Sequence, residues 1–456
     1  MLTATPSPRS LPIIAVAGLA GLAGLAGCGA TPPPSSSPGS FYRDIKPIAE
    51  AKCKSCHEPG GIGPLPLVTV DDFIKNKAAV RAAVAGGRMP PWPAAKGCTD
   101  YVGDRSLSPL QAKAFLDWVD QGAPAGRESD YAGGLAEQAP RLTRVDRHLE
   151  IPLAYTPTRM PDEYRCFIVD WPEKSTTYVS GTNSIPGNRS IVHHVIAFLA
   201  TPELVPAFQS LDDQEPGPGY TCFGGPGNVK GPDGQTARIG LLGGWAPGSL
   251  GSELPAGTGI KVPAGSKVIL QIHYNMSAAK PAPDRTAVDF RVEQQVQKEA
   301  FVLPWANFAL WVRDRKMPIP AGQADVMHRY ALDPTPFFKL FGNAFPLKNG
   351  EPFTIHSANL HMHTRGKSAR LAIERAGGGD ECLLEIPRWD FHWQGNYGFK
   401  QPKLFRPGDQ LAIECHFDNS PGNQPIIDGQ QVAPRDLNWG EGTHDEMCIG
   451  FMLVTP

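Results

Sequence analysis

The pattern of apolar and polar positions divides the chain into three stretches. Residues 11–27, LPIIAVAGLAGLAGLAG, form an apolar run of 17 residues. Helix-like segments follow in YRDIKPIAEAKC and SPLQAKAFLDWVDQGAP. From about residue 146 the chain changes to short alternating or apolar segments between Gly and Pro turns, which predict strands.

The third stretch predicts β-sandwiches. Its strand-like segments include SIVHHVIAFLA, SKVILQIHYNM, AVDFRVEQQV, SARLAIERA, DQLAIECHF and MCIGFMLV. No long helix is evident there, and roughly 310 residues are enough for two sandwiches. The 49 glycines and 47 prolines also favour many short strands joined by turns. The predicted fold is multidomain, with a small all-α domain followed by two all-β antiparallel sandwiches.

The first apolar run predicts an export signal. It follows Arg9, is short for a membrane-spanning helix and ends in small residues. Its end, LAGC, resembles a bacterial lipobox, which implies cleavage before Cys28 and lipid on its sulfur. The alternative is a plain secretory signal with an incidental cysteine. Residues 1–27 are predicted to be a lipoprotein signal peptide and 28–39 a flexible Pro/Ser tether.

Export sets the expected location and the state of the cysteines. We expect a lipid-anchored protein of the bacterial cell envelope that faces the periplasm, on either membrane. Net charge is −2 and charged residues make up 19% of the chain, which argues against a nucleic-acid partner. Of nine cysteines, six remain if one is lipidated and two bind a cofactor. An even remainder in an oxidising compartment favours disulfides.

Covalent haem is the first chemistry that the sequence predicts. Cys53, Cys56 and His57 form the C-x-x-C-H of c-type haem attachment. Two thiols three residues apart on one helical turn can meet the two vinyl groups, and the adjacent histidine then lies over the iron. A thioredoxin-type pair lacks a βαβ context here, and a zinc site lacks a second C-x-x-C.

The sixth iron ligand is predicted to be Met89, in GGRMPPWPA, whose prolines would stiffen the loop. A thioether raises the reduction potential of a haem. The alternatives are a core-filling methionine, or ligation by water or another donor. Residues 40–128 resemble a small cytochrome c domain, and 129–145 are predicted to be the linker that follows it.

Histidines on the predicted strands suggest metal sites. One such histidine is more often a satisfied core residue, but five of 12 are harder to dismiss because each buried imidazole needs a partner. Imidazole suits copper and zinc alike. These histidines are His193, His194, His273, His361 and His363.

An ordered set of motifs resembles one family. YRC, VHH, QIHY, LHMHTRG, PGDQLAIEC and HDEMC, in that order, resemble the copper type II, ascorbate-dependent monooxygenases. The resemblance covers about residues 146–456 and implies two jelly-roll domains, 146–298 and 299–456, with one copper each. It implies an electron-storing copper on His193, His194 and His273, and a catalytic copper on His361, His363 and Met447.

Strand geometry bears on both ligand sets. His361 and His363 alternate along a strand and therefore share a face. His193 and His194 are adjacent and point to opposite faces, so both reach one metal only if the strand bulges or ends there. The alternatives are that one of this pair merely packs, and that Met447 fills the core. Gln271 shares a strand face with His273 and is predicted to be its hydrogen-bond partner.

The resemblance also implies disulfide pairs. They are Cys415 with Cys448, beside Met447, and Cys166 with Cys222 in the first sandwich. Cys98 and Cys382 are left over. By elimination they join the haem domain to the second sandwich, or they are two buried free thiols.

The sequence departs from the family where its peptide-hydroxylating members hold a substrate carboxylate. Asn359, Ile449 and Phe451 occupy those positions. We therefore expect a small neutral or apolar substrate, hydroxylated at an sp³ carbon with O₂ and electrons relayed by the haem. The electron donor would be a periplasmic partner or an ascorbate-like reductant. The alternative is a non-catalytic haem and copper lipoprotein that carries electrons or metal.

Overall fold

The computed structural model describes residues 39–456, except residues 60–62, 64, 135–141, 161, 233, 235, 238, 246–250, 277–278, 342–345, 392, 428–429 and 441–443. The predicted signal peptide, Cys28, almost all of the tether and part of the linker therefore lie outside the described residues. No helix among the described residues is both long enough and apolar enough to cross a membrane.

Helices lie mainly before residue 121. They are α1 Lys46–Lys52, α2 Val70–Lys75, α3 Lys77–Ala85 and α4 Pro109–Asp120, and a fifth, α5 Val205–Asp213, lies among the strands. Short 3₁₀ or π segments span Phe41–Ile45, Glu128–Asp130, Phe308–Arg313, Thr335–Phe341 and Pro421–Asn423. Thr69 and Ser108 begin α2 and α4 as capping boxes, which satisfy free backbone N–H groups.

The helices before residue 121 enclose a small aromatic core. Phe41, Phe73, Phe115 and Trp118 are almost fully buried, and the Phe73 and Phe115 rings stack with centroids 6.3 Å apart. Both helix-like segments of the sequence fall in this region. We call residues 41–120 the helical segment.

Strands make up most of the rest of the chain. The earlier ones are β1 Arg147–Glu150, β2 Asp162–Asp170, β3 Thr177–Ile185, β4 Val192–Ala200, β5 Tyr220–Thr221, β6 Gly240–Trp245, β7 Ser252–Glu253, β8 Thr258–Val262, β9 Lys267–Asn275 and β10 Ala287–Glu293. The later ones are β11 Lys298–Trp305, β12 Val326–Leu332, β13 Phe353–His361, β14 Gly366–Glu374, β15 Asp380–Ile386, β16 Tyr397–Phe405, β17 Gln410–Phe417, β18 Ile426–Ile427, β19 Gln430–Gln431 and β20 Ile449–Thr455.

These strands build two sandwiches. A five-stranded sheet, β5-β2-β9-β4-β6, packs on β1-β10-β3-β8 around a core that includes Phe167, Val195, Ile272 and Phe290. A four-stranded sheet, β12-β17-β14-β15, packs on β11-β20-β13-β16 around a second core that includes Phe353, Leu371, Ile413 and Met452. The predicted β-sandwich architecture is confirmed.

The two sandwiches share one sheet. Its order is β1-β10-β3-β8-β11-β20-β13-β16, with β7 paired to β3. The junction is the pairing of β8 with β11, where Lys298–Trp305 runs parallel to Thr258–Val262 and Ala300 lies beside Ile260. The sequence predicted antiparallel sandwiches and did not anticipate this parallel junction. Residues 39–456 form one compact unit.

Three disulfides close the fold. Cys166–Cys222, Cys415–Cys448 and Cys98–Cys382 have S–S distances of 2.04, 2.07 and 2.00 Å. All three pairings are confirmed, and the alternative of two free thiols at Cys98 and Cys382 is wrong. The last bond ties the helical segment to β15 of the second sandwich.

Candidate metal centres

A β-bulge brings two adjacent histidines to one side of the first sandwich. In the pairing of β4 with β9, Val192 lies opposite Tyr274 and His194 lies opposite His273, so the register shifts between Val192 and His194. His193 is the extra residue. A bulge kinks the strand and redirects a side chain that would otherwise point to the opposite face. The predicted need for a bulge here is confirmed.

The bulge creates a three-histidine cluster. One ring nitrogen from each of His193, His194 and His273 lies within 4.8 Å of the others. His194 Nδ1 and His273 Nδ1 are 3.3 Å apart. Two nitrogens that each lie about 2.0 Å from one ion at a tetrahedral angle are separated by about 3.3 Å. The 3.3 Å pair therefore has the spacing of two ligands on one copper-sized ion, and the third nitrogen, within 4.8 Å, would move closer when an ion binds.

An acidic partner orients His273. Asp162 Oδ1 lies 2.8 Å from His273 Nε2 and accepts a 2.7 Å hydrogen bond from Asn275 Nδ2. Burial alone would raise the pKa of Asp162, but its bonds and charge interactions with His273 and Asn275 hold that pKa below its ordinary value. A carboxylate on one imidazole nitrogen fixes the tautomer and leaves the other nitrogen for a metal.

Gln271 does not have the predicted role. Its Nε2 donates to the carbonyl of Gly225 at 2.9 Å and lies 3.5 Å from the sulfur of Cys222. The amide of Gln271 therefore contacts the loop that carries Cys222 and Gly225, and not His273. Asp162, on the adjacent strand β2, is the partner that the sequence analysis missed.

A second bulge directs the H-x-H pair away from the core. The register of β13 shifts between Ile355 and Ser357 against both of its neighbours, β16 and β20. Before the bulge Phe353 and Ile355 face the second core, and after it the residues that pack in this core are Ala358, Leu360 and Met362. The extra residue, His356, therefore inverts the alternation and puts His361 and His363 on the other face.

The two rings of the pair lie side by side with one nitrogen each engaged. Their centroids are 5.0 Å apart. His361 Nδ1 donates to Gln394 Oε1 at 2.5 Å, and His363 Nδ1 donates to the carbonyl of Asp445 at 3.2 Å. The hydrogen bond of His361 occupies Nδ1, so Nε2 is the nitrogen of this ring that would bind a metal. Burial lowers the pKa of His361, which keeps its imidazole in the neutral form that binds metal.

A buried carboxyl group holds the backbone of this loop. Glu446 is fully buried and accepts hydrogen bonds from the backbone N–H of His363 at 2.8 Å and of Arg365 at 2.5 Å. Burial raises the pKa of Glu446 to about 8. Trp389 Nε1 supports the same loop with a 3.0 Å hydrogen bond to the carbonyl of His363. Glu446 belongs to the HDEMC segment, but no role was predicted for it.

Met447 lies in the segment that adjoins this loop. Ile449 pairs with His361 in the ladder between β20 and β13, and Glu446 contacts the backbone of His363. Met447 is half-buried and packs against the second core. Its neighbour Cys448 is fixed to Cys415. Its role as a ligand stays a prediction.

The two histidine sets influence each other. Burial lowers the pKa of His194 well below its ordinary value, and His273, His193 and His361 lower it further. His361, which belongs to the other sandwich, is therefore one of the groups whose charge acts on His194.

The C-x-x-C-H motif has the donor set that covalent haem needs. Cys53 and Cys56 are outside the disulfides, and burial raises the pKa of Cys53 to about 12, so its thiol is neutral. His57 Nδ1 donates to the carbonyl of Leu65 at 2.6 Å and leaves Nε2 for iron. A Cβ on Gly63 would come within 2.5 Å of His57 Nδ1, so this ring packs closely on glycine backbone.

Met89 is half-buried between a helix end and Trp92. Its backbone N–H bonds to the carbonyl of Ala83 at 3.3 Å, which ties it to the end of α3. Trp92 packs against the second core. The role of Met89 as an iron ligand stays a prediction.

Comparisons with known proteins match parts of this chain. DBH-like monooxygenase protein 2 of Mus musculus is 29% identical over 113 residues, which are 24% of this chain and 16% of that protein. DBH-like monooxygenase protein 1 of Homo sapiens is 27% identical over 113 residues, with the same two shares. The chain thus spans about one sixth of the length of these relatives.

Among solved structures, the comparison with the cowpea mosaic virus top component covers 71% of this chain and 94% of that chain at 11% identity. The TM-score is 0.24, which is too low to indicate a shared fold. The family model that matches is that of the copper type II ascorbate-dependent monooxygenase, C-terminal domain, over residues 344–454. These residues, which carry His361, His363 and Met447, are therefore similar to the C-terminal domain of that monooxygenase family.

Proposed function

We propose that this protein is a two-copper monooxygenase that hydroxylates an sp³ carbon. The balanced reaction is RH + O₂ + 2 e⁻ + 2 H⁺ → ROH + H₂O. The observation that carries the proposal is the cluster of His193, His194 and His273 in a chain whose residues 344–454, which carry His361 and His363, match a copper monooxygenase domain.

Copper at these positions would supply one-electron redox chemistry and activation of O₂. The protein's own groups hold the ligands in place. Asp162 and Gln394 fix imidazole tautomers, and Glu446 fixes the backbone that carries His363. Three imidazoles can hold copper through a one-electron cycle, whereas two imidazoles and the thioether of Met447 would favour Cu(I) and leave a position open.

The substrate that suits this face is small and neutral or apolar. In the ladder between β13 and β20, Asn359 lies opposite Phe451 and His361 lies opposite Ile449. None of these four residues can bind a carboxylate by charge. The nearby cation, Arg365, is buried and directed inward, where its guanidinium donates to Gln424 at 3.0 Å.

The haem would receive electrons from a periplasmic donor or an ascorbate-like reductant and pass them to copper. Cys53, Cys56, His57 and Met89 would hold it. A lipid on Cys28 would keep the protein at the cell envelope. Support comes from the motif, from the free thiols and from the hydrogen bond of His57 to Leu65.

The test is incorporation of labelled oxygen. Copper-loaded protein is incubated with a metabolite extract, ascorbate and ¹⁸O₂, and products that gain one oxygen atom are identified by mass spectrometry. The Met447→Ala variant should lose at least about 100-fold of this activity because it lacks the ligand that favours Cu(I). The matched control is Met327→Ala, which removes an exposed methionine of the same sandwich.

Each outcome has one meaning. Loss in Met447→Ala with normal activity in Met327→Ala supports the proposal, provided that the haem spectrum of both variants is unchanged. Equal activity in Met447→Ala and the parent would overturn the assignment of the oxygenase site. No incorporated oxygen with any substrate, despite bound haem and copper, would favour a carrier of electrons or metal.

A further inference from the structure

The helical segment is attached to the second sandwich by a disulfide and by backbone hydrogen bonds. Residues 92–102, here called the strap, follow Met89 and carry Cys98, which is bonded to Cys382. Tyr101 forms a β-bridge with Phe399, and Ala95 N–H donates to the carbonyl of Glu385 at 2.8 Å. The strap therefore fixes where the helical segment lies.

Aromatic packing adds to this fixation. Tyr101 is 4% exposed, and its ring lies 5.3 Å from that of Tyr397, which in turn lies 5.1 Å from Trp92. Arg388 donates to the carbonyl of Gly87 at 3.2 Å, two residues before Met89. Buried aromatic clusters of this kind hold a geometry firmly because many contacts must break together.

The other end of the helical segment contacts the first sandwich. Glu58, the residue after His57, forms an ion pair with Arg189. Arg189 lies four residues before His193, at the entry to β4. The C-x-x-C-H motif therefore faces the chain that leads to the three-histidine cluster.

We propose that the contact between Glu58 and Arg189 is the place where one electron crosses from the haem to the three-histidine copper. This inference rests on the proposed function. Ferrous iron loses one electron and becomes ferric, Cu(II) gains it and becomes Cu(I), and no bond forms or breaks. The ion pair acts by position, because it holds the edge of the motif against the approach to His193.

A competing route leads to the other site. It runs from Gly87 through Arg388 and the adjacent Trp389, whose Nε1 donates to the carbonyl of His363. The competing route crosses two hydrogen bonds and starts from the Met89 loop. The route through Glu58 and Arg189 crosses one side-chain contact, directly beside the histidine that would bind iron. We therefore assign entry to Glu58 and Arg189.

The experiment measures electron transfer without substrate or O₂. Protein loaded with haem and Cu(II) is reduced at the haem by a flash of a one-electron photoreductant, and the ferrous α-band is followed with time. Freeze-quenched samples report the loss of the Cu(II) paramagnetic signal. Arg189→Glu should slow transfer about fivefold, because repulsion replaces an attraction of about 1 kcal/mol between residues 58 and 189 and the close contact is populated about fivefold less. The double variant Glu58→Arg with Arg189→Glu should restore the rate.

The control reverses a comparable charge elsewhere. Arg329 and Glu374 form an ion pair of similar exposure on the second sandwich, so Arg329→Glu should transfer at the parent rate. Haem absorbance and copper content should be unchanged in the Glu58, Arg189 and Arg329 variants, and the haem potential of each variant is measured so that rates are compared at equal driving force, which separates position from damage to either cofactor site.

The results divide cleanly. Transfer at the parent rate in Arg189→Glu would overturn the inference, and slower transfer in Trp389→Phe alone would assign entry to the other route. Slow transfer in both Arg189→Glu and the charge-swapped double variant would also overturn it. The double variant restores the attraction between residues 58 and 189, so the rate should recover if the ion pair acts by holding the two segments together. Protein without covalent haem would instead overturn the proposed function, and the inference with it.

Discussion

At the scale of single residues, Asp162 is the group whose removal most directly tests the three-histidine site. We predict that Asp162→Ala weakens copper binding there about 10- to 100-fold, because His273 would lose the partner that fixes its tautomer. Competition between the protein and a copper chelator gives this affinity. Asp170→Ala, on the same strand and paired with Lys267 at the surface, should bind copper normally. Equal weakening in both variants would mean a general loss of stability.

His356 gives a prediction about pH. Burial, with a smaller effect of Lys298, lowers the pKa of His356 to about 4. Since the unfolded pKa is about 6.5, the unfolded chain binds a proton between pH 6.5 and 4 that the folded protein does not. Stability present above pH 6.5 is therefore lost as the pH falls through this window.

For this half-buried ring we expect the loss to be about 1 kcal/mol, after allowance for solvent screening. Urea unfolding at several pH values should show a shallower acid dependence in His356→Gln, which cannot titrate, than in the parent. Identical slopes would show that His356 does not contribute.

The candidate metal ligands were easier to predict than their supports. His193, His194 and His273 stood out because imidazoles are scarce and these lie in apolar strands. Asp162 lies 111 positions from His273, and Gln394 lies 33 positions from His361. An acidic residue at a strand end, such as Asp162, or an amide in a loop, such as Gln394, has no local pattern that indicates its partner, so only the folded structure reveals these pairs.

At the scale of elements, two bulges decide where the ligands point. The bulge at His193 was predictable because adjacent histidines cannot otherwise share a metal. The bulge at His356 was not, because H-x-H alone satisfies the rule of alternation and gives no reason to insert a residue. The sequence therefore predicted that His361 and His363 share a face, but not which face of the sandwich it would be.

The bond between Cys415 and Cys448 provides a prediction at this scale. Both residues are fully buried, and the bond closes a loop with a sequence separation of 33. Replacing both with alanine should lower the free energy of unfolding by about 3–4 kcal/mol, chiefly because the unfolded chain gains freedom. Urea unfolding measures this.

Copper bound through His361, His363 and Met447 should weaken in the same variant, since Cys448 fixes the backbone next to Met447. The matched variant, with Cys166 and Cys222 replaced by alanine, should lose comparable stability but keep this copper. Full copper binding after removal of Cys415–Cys448 would argue against Met447 as a ligand.

At the scale of the whole molecule, the sequence predicted two sandwiches but not one sheet running through both. Strand texture and length indicate how many sandwiches a chain can build. The parallel pairing of β8 with β11 joins segments about 40 positions apart, and such a pairing depends on how the finished layers stack. The disulfide between Cys98 and Cys382, at a separation of 284, was predictable only by elimination.

The β8–β11 junction has a mechanical consequence. Backbone hydrogen bonds continue from one sandwich into the other through this pairing. The two sandwiches therefore cannot move apart about a hinge without breaking it. The separation between the three-histidine cluster in one sandwich and the H-x-H pair in the other is therefore set when the protein folds.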